Sequence, residues 1–259
     1  MTTYTIVTGA TGGIGGAICR RIVARGGSVI ATCRNRERGE ALANELRQAA
    51  TDDPDSICDF ARRINGLHII SLINNAGVMC RHYSLTAQGL EQTMAVNYFG
   101  TILLTRLIAP RIEQGGSVVF TTSITRRLHR LTESILTPTK NNFSQLGTYG
   151  RSKLALTHYA MHLSHQWQGR LRVNCADPGV VNSGMITMHR WFDPLANLLF
   201  RPFISTPLRG AESALQACHS PLSGMIFHHT HSHPIADELR PDATHHRLIA
   251  QTEKWLQQY

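Results

Sequence analysis

The sequence predicts an α/β fold, a doubly wound parallel sheet with helices on both faces, built as a single domain over residues 1–259. Three observations point to it. Short apolar runs rich in β-branched residues alternate with segments of helical period, the pattern of repeated βαβ units. A glycine-rich turn joins the first of these runs to the first helical segment. No internal repeat and no Ser/Gly-rich linker divides the chain, whose 259 residues are within reach of one core.

Strands are predicted at Tyr4–Thr8, Ser28–Cys33, His68–Ile73, Val118–Thr122, Leu171–Ala176 and Gly224–Phe227, each a short apolar run as strands covered on both faces require. Between the helical run Arg36–Arg47 and the one beginning near Pro54 there is room for only a very short further strand, third in chain order. Thr125–Thr148 reads as a surface excursion. A second excursion, at about 180–207, carries Trp191, Phe192, Leu195, Leu198, Leu199, Phe200 and Phe203. Two readings fit that stretch: a lid over a hydrophobic substrate, or a helix pair packed on the core.

Composition excludes several classes. With 42% hydrophobic and 17% charged residues the chain is neither disordered nor fibrous. The formal net charge is +9, but the basic residues are scattered apart from small groups such as Arg34, Arg36 and Arg38, and no stripe interleaved with aromatics supports nucleic-acid binding. Six cysteines without a CxxC pair read as reduced core residues. The chain enters an apolar strand within four residues and shows no leader or long apolar run, so a soluble, cytoplasmic protein without a transmembrane segment is expected. His228, His229, His231 and His233 cluster after the last predicted strand. Their spacing matches no standard zinc site, and they read as a solvated, pH-sensitive loop with no metal.

The first strand runs directly into Thr8-Gly9-Ala10-Thr11-Gly12-Gly13-Ile14-Gly15, followed by the helical run Gly16–Ala24. Glycines there permit a tight turn, let backbone N–H groups approach a pyrophosphate and let helix and strand pack closely, while the helix N-terminus attracts the anion. Gly9, Gly13, Ile14 and Gly15 are therefore candidate dinucleotide contacts. The second strand ends Thr32-Cys33-Arg34-Asn35, where an NAD site usually carries an acid for the ribose 2′-hydroxyl. Arg34 offers instead a fork suited to a 2′-phosphate, so NADP(H) is expected in preference to NAD(H). A solvated arginine opening the next helix is the plainer alternative.

Tyr149-Gly150-Arg151-Ser152-Lys153 lies near the start of a helical run, and residues four apart share a helix face. A free phenol has a pKa near 10. A cation within about 4–6 Å lowers an acid's pKa by roughly one to three units, so Lys153 is expected to make Tyr149 a proton shuttle near neutral pH.

With these residues in place the chain resembles the short-chain dehydrogenase/reductase family in its classical form, whose fold is of the Rossmann type. The resemblance runs end to end: Thr8-Gly9-xxx-Gly13-x-Gly15, Asn74-Asn75-Ala76-Gly77, Asn97 in an AVN context, Ser123 closing a strand, Tyr149-xxx-Lys153 and Pro178-Gly179. It implies that Ser123 hydrogen-bonds the reacting oxygen, Tyr149 transfers the proton, Lys153 holds the nicotinamide ribose and tunes the tyrosine, and Asn97 anchors a water relay. It also implies that Asn75, Ala76 and Gly77 border the adenosine ribose and that the loop of Pro178, Gly179, Val181 and Ser183 fixes the nicotinamide amide. From the residues alone, Ser123 could be a strand-end turn former, with Thr121 and Thr122 competing for its role, Asn97 could break a helix by local hydrogen bonding, and Asn74 could be structural.

Cys33-Arg34, the run to Met79, the 26-position gap from Ser123 to Tyr149 and Pro178-Gly179-Val180-Val181 are most similar to the retinol dehydrogenase-type branch. That branch implies a small hydrophobic alcohol or carbonyl substrate, and the family implies a possible homo-oligomer through the helices flanking Ser123 and Tyr149. Two departures stand out: the shortened third strand leaves no clear adenine-contacting aspartate, with Asp52 and Asp53 reading as helix caps, and the N-terminal membrane helix of several vertebrate relatives has no match. The rival expectation is a catalytically silent NADPH-sensing or interaction protein on the same fold.

Overall fold

The computed structural model describes residues 2–33, 54–179 and 206–259. Among these residues seven strands form one sheet in the order β2-β1-β3-β4-β5-β6-β7: β1 Thr3–Val7, β2 Ser28–Ala31, β3 His68–Asn74, β4 Ile112–Thr121, β5 Arg172–Asp177, β6 Met225–His228 and β7 His231–Pro234. All neighbours pair in parallel except β6 and β7, which are antiparallel. The expected parallel, doubly wound sheet is what the chain forms. The short third strand expected before Pro54 falls outside the described residues.

Alternation along the strands sends neighbouring side chains to opposite faces. Ile6, Leu72, Val118, Cys175 and Ile226 enter one core, with α2 Pro54–Arg63, α4 Thr101–Ile108, α5 Gln145–Gln166 and α7 Ala243–Leu256 packed over it. Their chain neighbours Val7, Ile73, Val119, Ala176 and Phe227 enter the other, beneath α1 Gly13–Ala24 and α6 Pro207–His219. Each buried Ile, Leu or Val among them contributes about 1.5–3 kcal/mol relative to exposure. A short α3, Gln92–Met94, leads through a π-helical segment, Ala95–Gly100, into α4.

Three local readings need correction. The first helix starts at Gly13, inside the glycine turn, because those residues form its opening turn. The excursion after Ser123 is rooted: the 3-10 turn Ile124–Leu128 buries Arg126, and Ile135 and Leu136 are also buried. The histidine cluster is no loop. His228 ends β6 while His231 and His233 lie on β7, and His233 Nε2 meets Glu238 Oε1 at 2.6 Å. Among the described residues no group of three His, Cys, Asp or Glu is placed to hold a metal ion.

Strand order reverses about β1, whose neighbours are β2 and β3, and in such sheets ligands bind outside the carboxyl ends at this switch point. The glycine turn follows β1, Asn75–Gly77 follows β3, Ser123 follows β4 and Pro178-Gly179 follows β5. The fold thus brings segments far apart in sequence to one edge.

Candidate active site

The glycine turn is clamped from the end of β3. Thr8 Oγ1 accepts from the backbone N–H of both Asn75 and Ala76 at 2.9 Å, and Asn75 Nδ2 donates to the Thr8 carbonyl at 2.9 Å. Gly9 sits at φ +64°, and a Cβ there would meet the Ala76 Cα at 2.9 Å, so the close approach of the two loops demands glycine. Gly12 caps α1 without a side-chain hydrogen bond, and no acidic residue occupies the first turn. Among the described residues the first amides of α1 therefore have no side-chain cap, as an anionic pyrophosphate requires. By this test the turn fits a dinucleotide.

The three strand-end hydroxyls part company. Thr122 Oγ1 pairs with Thr157 Oγ1 at 2.8 Å inside the core, and Thr121 is buried with its carbonyl accepting from Lys153 Nζ at 2.8 Å. Of the three, Ser123 is the one whose hydroxyl acts on the Tyr149 phenol, favouring its ionised form. It does not close β4, which ends at Thr121, but caps the following 3-10 turn, accepting from Thr125 N at 3.3 Å.

Tyr149 and Lys153 lie one turn apart on α5, with Lys153 Nζ 5.6 Å from the centre of the Tyr149 ring. Burial pushes the Tyr149 phenol up to about 12, opposed by the Ser123 hydrogen bond and assisted by the Asp177 charge. Burial also pulls Lys153 down to about 8, against the nearby Cys175 and Asp177. The expectation that the lysine brings the phenol into the neutral range is therefore not met in the protein alone; desolvation wins and Tyr149 holds its proton.

Asn97, on the π-helical segment, is no local helix breaker. Its Oδ1 accepts from Val78 N at 2.8 Å, and its Nδ2 donates to the Val78 carbonyl at 2.9 Å and to Ser152 Oγ at 3.0 Å. A Cβ on Gly77 would lie 3.4 Å from both Asn97 Oδ1 and Lys153 Nζ, so these two polar groups converge on one point beside the loop after β3. Asn74 is structural, its Nδ2 donating to Thr105 Oγ1 at 2.9 Å.

A family model described as short chain dehydrogenase matches residues 3–191. The chain belongs to the short-chain dehydrogenase/reductase family. Among curated relatives, this short-chain dehydrogenase is 32% identical over 265 residues to human retinol dehydrogenase 12, covering 94% of this chain and 83% of the relative. It is 33% identical over 273 residues to the cattle protein dehydrogenase/reductase SDR family member 13, covering 96% and 72%. A solved structure of an uncharacterised protein from Mycobacterium paratuberculosis has a TM-score of 0.77 at 27% identity, covering 99% of this chain and 94% of that one. A short chain dehydrogenase from Burkholderia cenocepacia, solved in complex with NADP, shares the fold with a TM-score of 0.68 at 22% identity, covering 86% and 94%. The oxidoreductase family and its retinol dehydrogenase branch are thereby established.

Of the residues expected to serve this short-chain dehydrogenase, Ser123, Tyr149, Lys153 and Asn97 come together; Gly9, Gly13, Ile14, Gly15, Asn75, Ala76, Gly77, Pro178 and Gly179 line the same edge. Arg34, Val181, Ser183 and the apolar stretch Trp191–Phe203 lie outside the described residues. Sequence reasoning missed Arg126, Asp177 and Glu238, a buried ion network directly beside Ser123. One signal was present: an aspartate at the end of a buried strand needs a partner.

Proposed function

We propose that the chain is an NADP(H)-dependent oxidoreductase interconverting a lipophilic alcohol and the matching carbonyl compound. The observation that carries this reading is the convergence of Ser123, Tyr149, Lys153 and Asn97 beside a glycine turn whose helix lacks a side-chain cap. The uncapped amides of α1, with Gly9, Gly13, Ile14 and Gly15, would hold the pyrophosphate. Arg34 would read the 2′-phosphate. Asn75, Ala76 and Gly77 would border the adenosine ribose, Lys153 the nicotinamide ribose, and Pro178, Gly179, Val181 and Ser183 the carboxamide. The bound nicotinamide supplies or accepts the hydride.

The chain's own groups handle the proton. Tyr149, protonated in the protein alone, donates to the carbonyl oxygen in the reductive direction while the Ser123 hydroxyl shares that oxygen. In the oxidative direction the phenolate takes the alcohol proton. Among the described residues Lys153 Nζ bonds only the Thr121 carbonyl, so its remaining N–H groups are available to a ribose and to a water held by Asn97.

A lipophilic substrate is supported by Ile124, Leu128 and Leu146, exposed apolar residues on the segments that carry Ser123 and Tyr149. Relatives named retinol dehydrogenase agree with it. The test is to follow nicotinamide absorbance with a panel of lipophilic alcohols, aldehydes and ketones. Turnover with NADP(H) ahead of NAD(H) is expected; tight cofactor binding without turnover across the panel would replace this reading with that of a sensor.

A further inference from the structure

We propose that Arg126 and Asp177 form a buried brace that couples the backbone of Ser123 to the Pro178-Gly179 turn and so fixes where the nicotinamide end of the cofactor lies relative to the reacting groups. Arg126 is 2% exposed, and one atom of its guanidinium, Nη1, donates to the Ser123 carbonyl at 2.8 Å and to Asp177 Oδ2 at 2.6 Å. The other carboxylate oxygen of Asp177 accepts from the Gly179 backbone N–H at 3.0 Å. The serine that meets Tyr149 and the turn that leaves β5 are thus joined through two side chains, with no intervening solvent-exposed group.

The far side of the guanidinium is anchored as well. Its Nε and Nη2 form a two-point contact with Glu238, at 3.0 and 2.9 Å, and Arg127 and His233 bind the same carboxylate. Four directed bonds from a planar fork leave Arg126 little rotational freedom. The Asp177 carbonyl accepts from Ser213 Oγ at 2.9 Å, and Ser213 Oγ accepts from His229 N at 2.8 Å, so both ends of Asp177 are fixed. A buried ion pair adds little stability over an apolar substitute of similar size. Its distinctive contribution here is geometry, since an apolar pair could hold neither the Ser123 carbonyl nor the Gly179 amide.

Arg126 and Asp177 act on this view as positioning residues, and their role rests on the proposed NADP(H) chemistry. Three variants test it: Asp177→Ala, which removes both tethers; Asp177→Asn, which keeps an acceptor for Gly179 but turns an amide toward Arg126; and Arg126→Lys, which keeps the charge without the fork. Each is titrated with NADP⁺ and with 2′,5′-ADP, which carries the adenosine end and no nicotinamide. For Asp177→Ala the affinity for NADP⁺ is expected to fall about tenfold, with 2′,5′-ADP affinity unchanged and kcat down about 100-fold; the other two variants should lie between it and the wild type. Equal loss for both ligands, or no change in either, overturns the brace while leaving the proposed function standing. Wild-type protein that binds 2′,5′-ADP but gains nothing from the nicotinamide overturns the brace by a different route, since no nicotinamide end is then held. Wild-type protein that binds neither ligand overturns the proposed function itself and the brace with it.

Discussion

Lys153 Nζ lies 5.6 Å from the centre of the Tyr149 ring, yet its hydrogen bond goes to the Thr121 carbonyl at 2.8 Å. The ammonium is held by β4 at a fixed distance from the phenol without bonding to it. Tyr149 is left to the Ser123 hydroxyl, and burial keeps its proton in place up to about 12.

The two reaction directions should therefore differ in pH dependence. Reduction needs the protonated phenol, so kcat/KM should stay level through neutral pH and fall only on the alkaline side. Oxidation needs the phenolate and should climb with pH, by up to about tenfold per unit; the positive charge of an oxidised nicotinamide shifts the climb to lower pH. Rates in both directions between about pH 6 and 10 check this. An oxidation rate flat over that range would remove Tyr149 as the titrating group.

Replacing Tyr149 with Phe keeps the ring and its packing on α5 while deleting the hydroxyl. Turnover should drop by about 100- to 10,000-fold. Dissociation constants for the dinucleotide, measured by fluorescence titration, should change less than about threefold, since the ring makes no ionic contact with it. Retained activity would falsify the proton-transfer role.

Arg34→Asp replaces a cation suited to a phosphate with an acid suited to a ribose diol. The ratio of kcat/KM for NADP(H) to that for NAD(H) should invert, by at least about 100-fold overall. An unchanged ratio would mean that another residue reads the 2′-phosphate.

Glu238 is opposed by burial but pulled down to about 2 by hydrogen bonds from Arg127 and Arg126, from an ordinary value of 4.5. A depressed carboxylate contributes stability that is complete above its unfolded pKa and is lost as pH falls through the folded one. Glu238→Gln should therefore lower the Tm most at neutral pH, with the gap to wild type closing between pH 4.5 and about 2. A gap independent of pH would show that the charge of Glu238 adds nothing to the fold.

What was legible in the sequence was what is local. The turn from Thr8 to Gly15 and the four-residue step from Tyr149 to Lys153 depend on neighbours in the chain, so pattern and backbone chemistry reveal them. The choice among Thr121, Thr122 and Ser123 was not legible from their chemistry, because three adjacent hydroxyls differ only in which way the strand end turns them. Arg126 meets Asp177 across 51 positions and Glu238 across 112, and an arginine in a polar excursion carries no mark of burial. The raised phenol pKa of the protein alone was not legible for a related reason: helical spacing predicts the lysine's distance but not the desolvation around both groups. Strand β7 was hidden because His231-Ser232-His233-Pro234 has none of the β-branched or aromatic residues that announce a strand.

That last strand has a wider consequence. Because β7 runs antiparallel to β6, is four residues long and ends in Pro234, it offers an approaching chain a short polar border with one amide donor missing. Without it, the backbone of Met225-Ile226-Phe227 would stand as an open template for intermolecular pairing. Among the described residues the histidine hairpin thus leaves that margin of the sheet with little backbone for another chain to pair with.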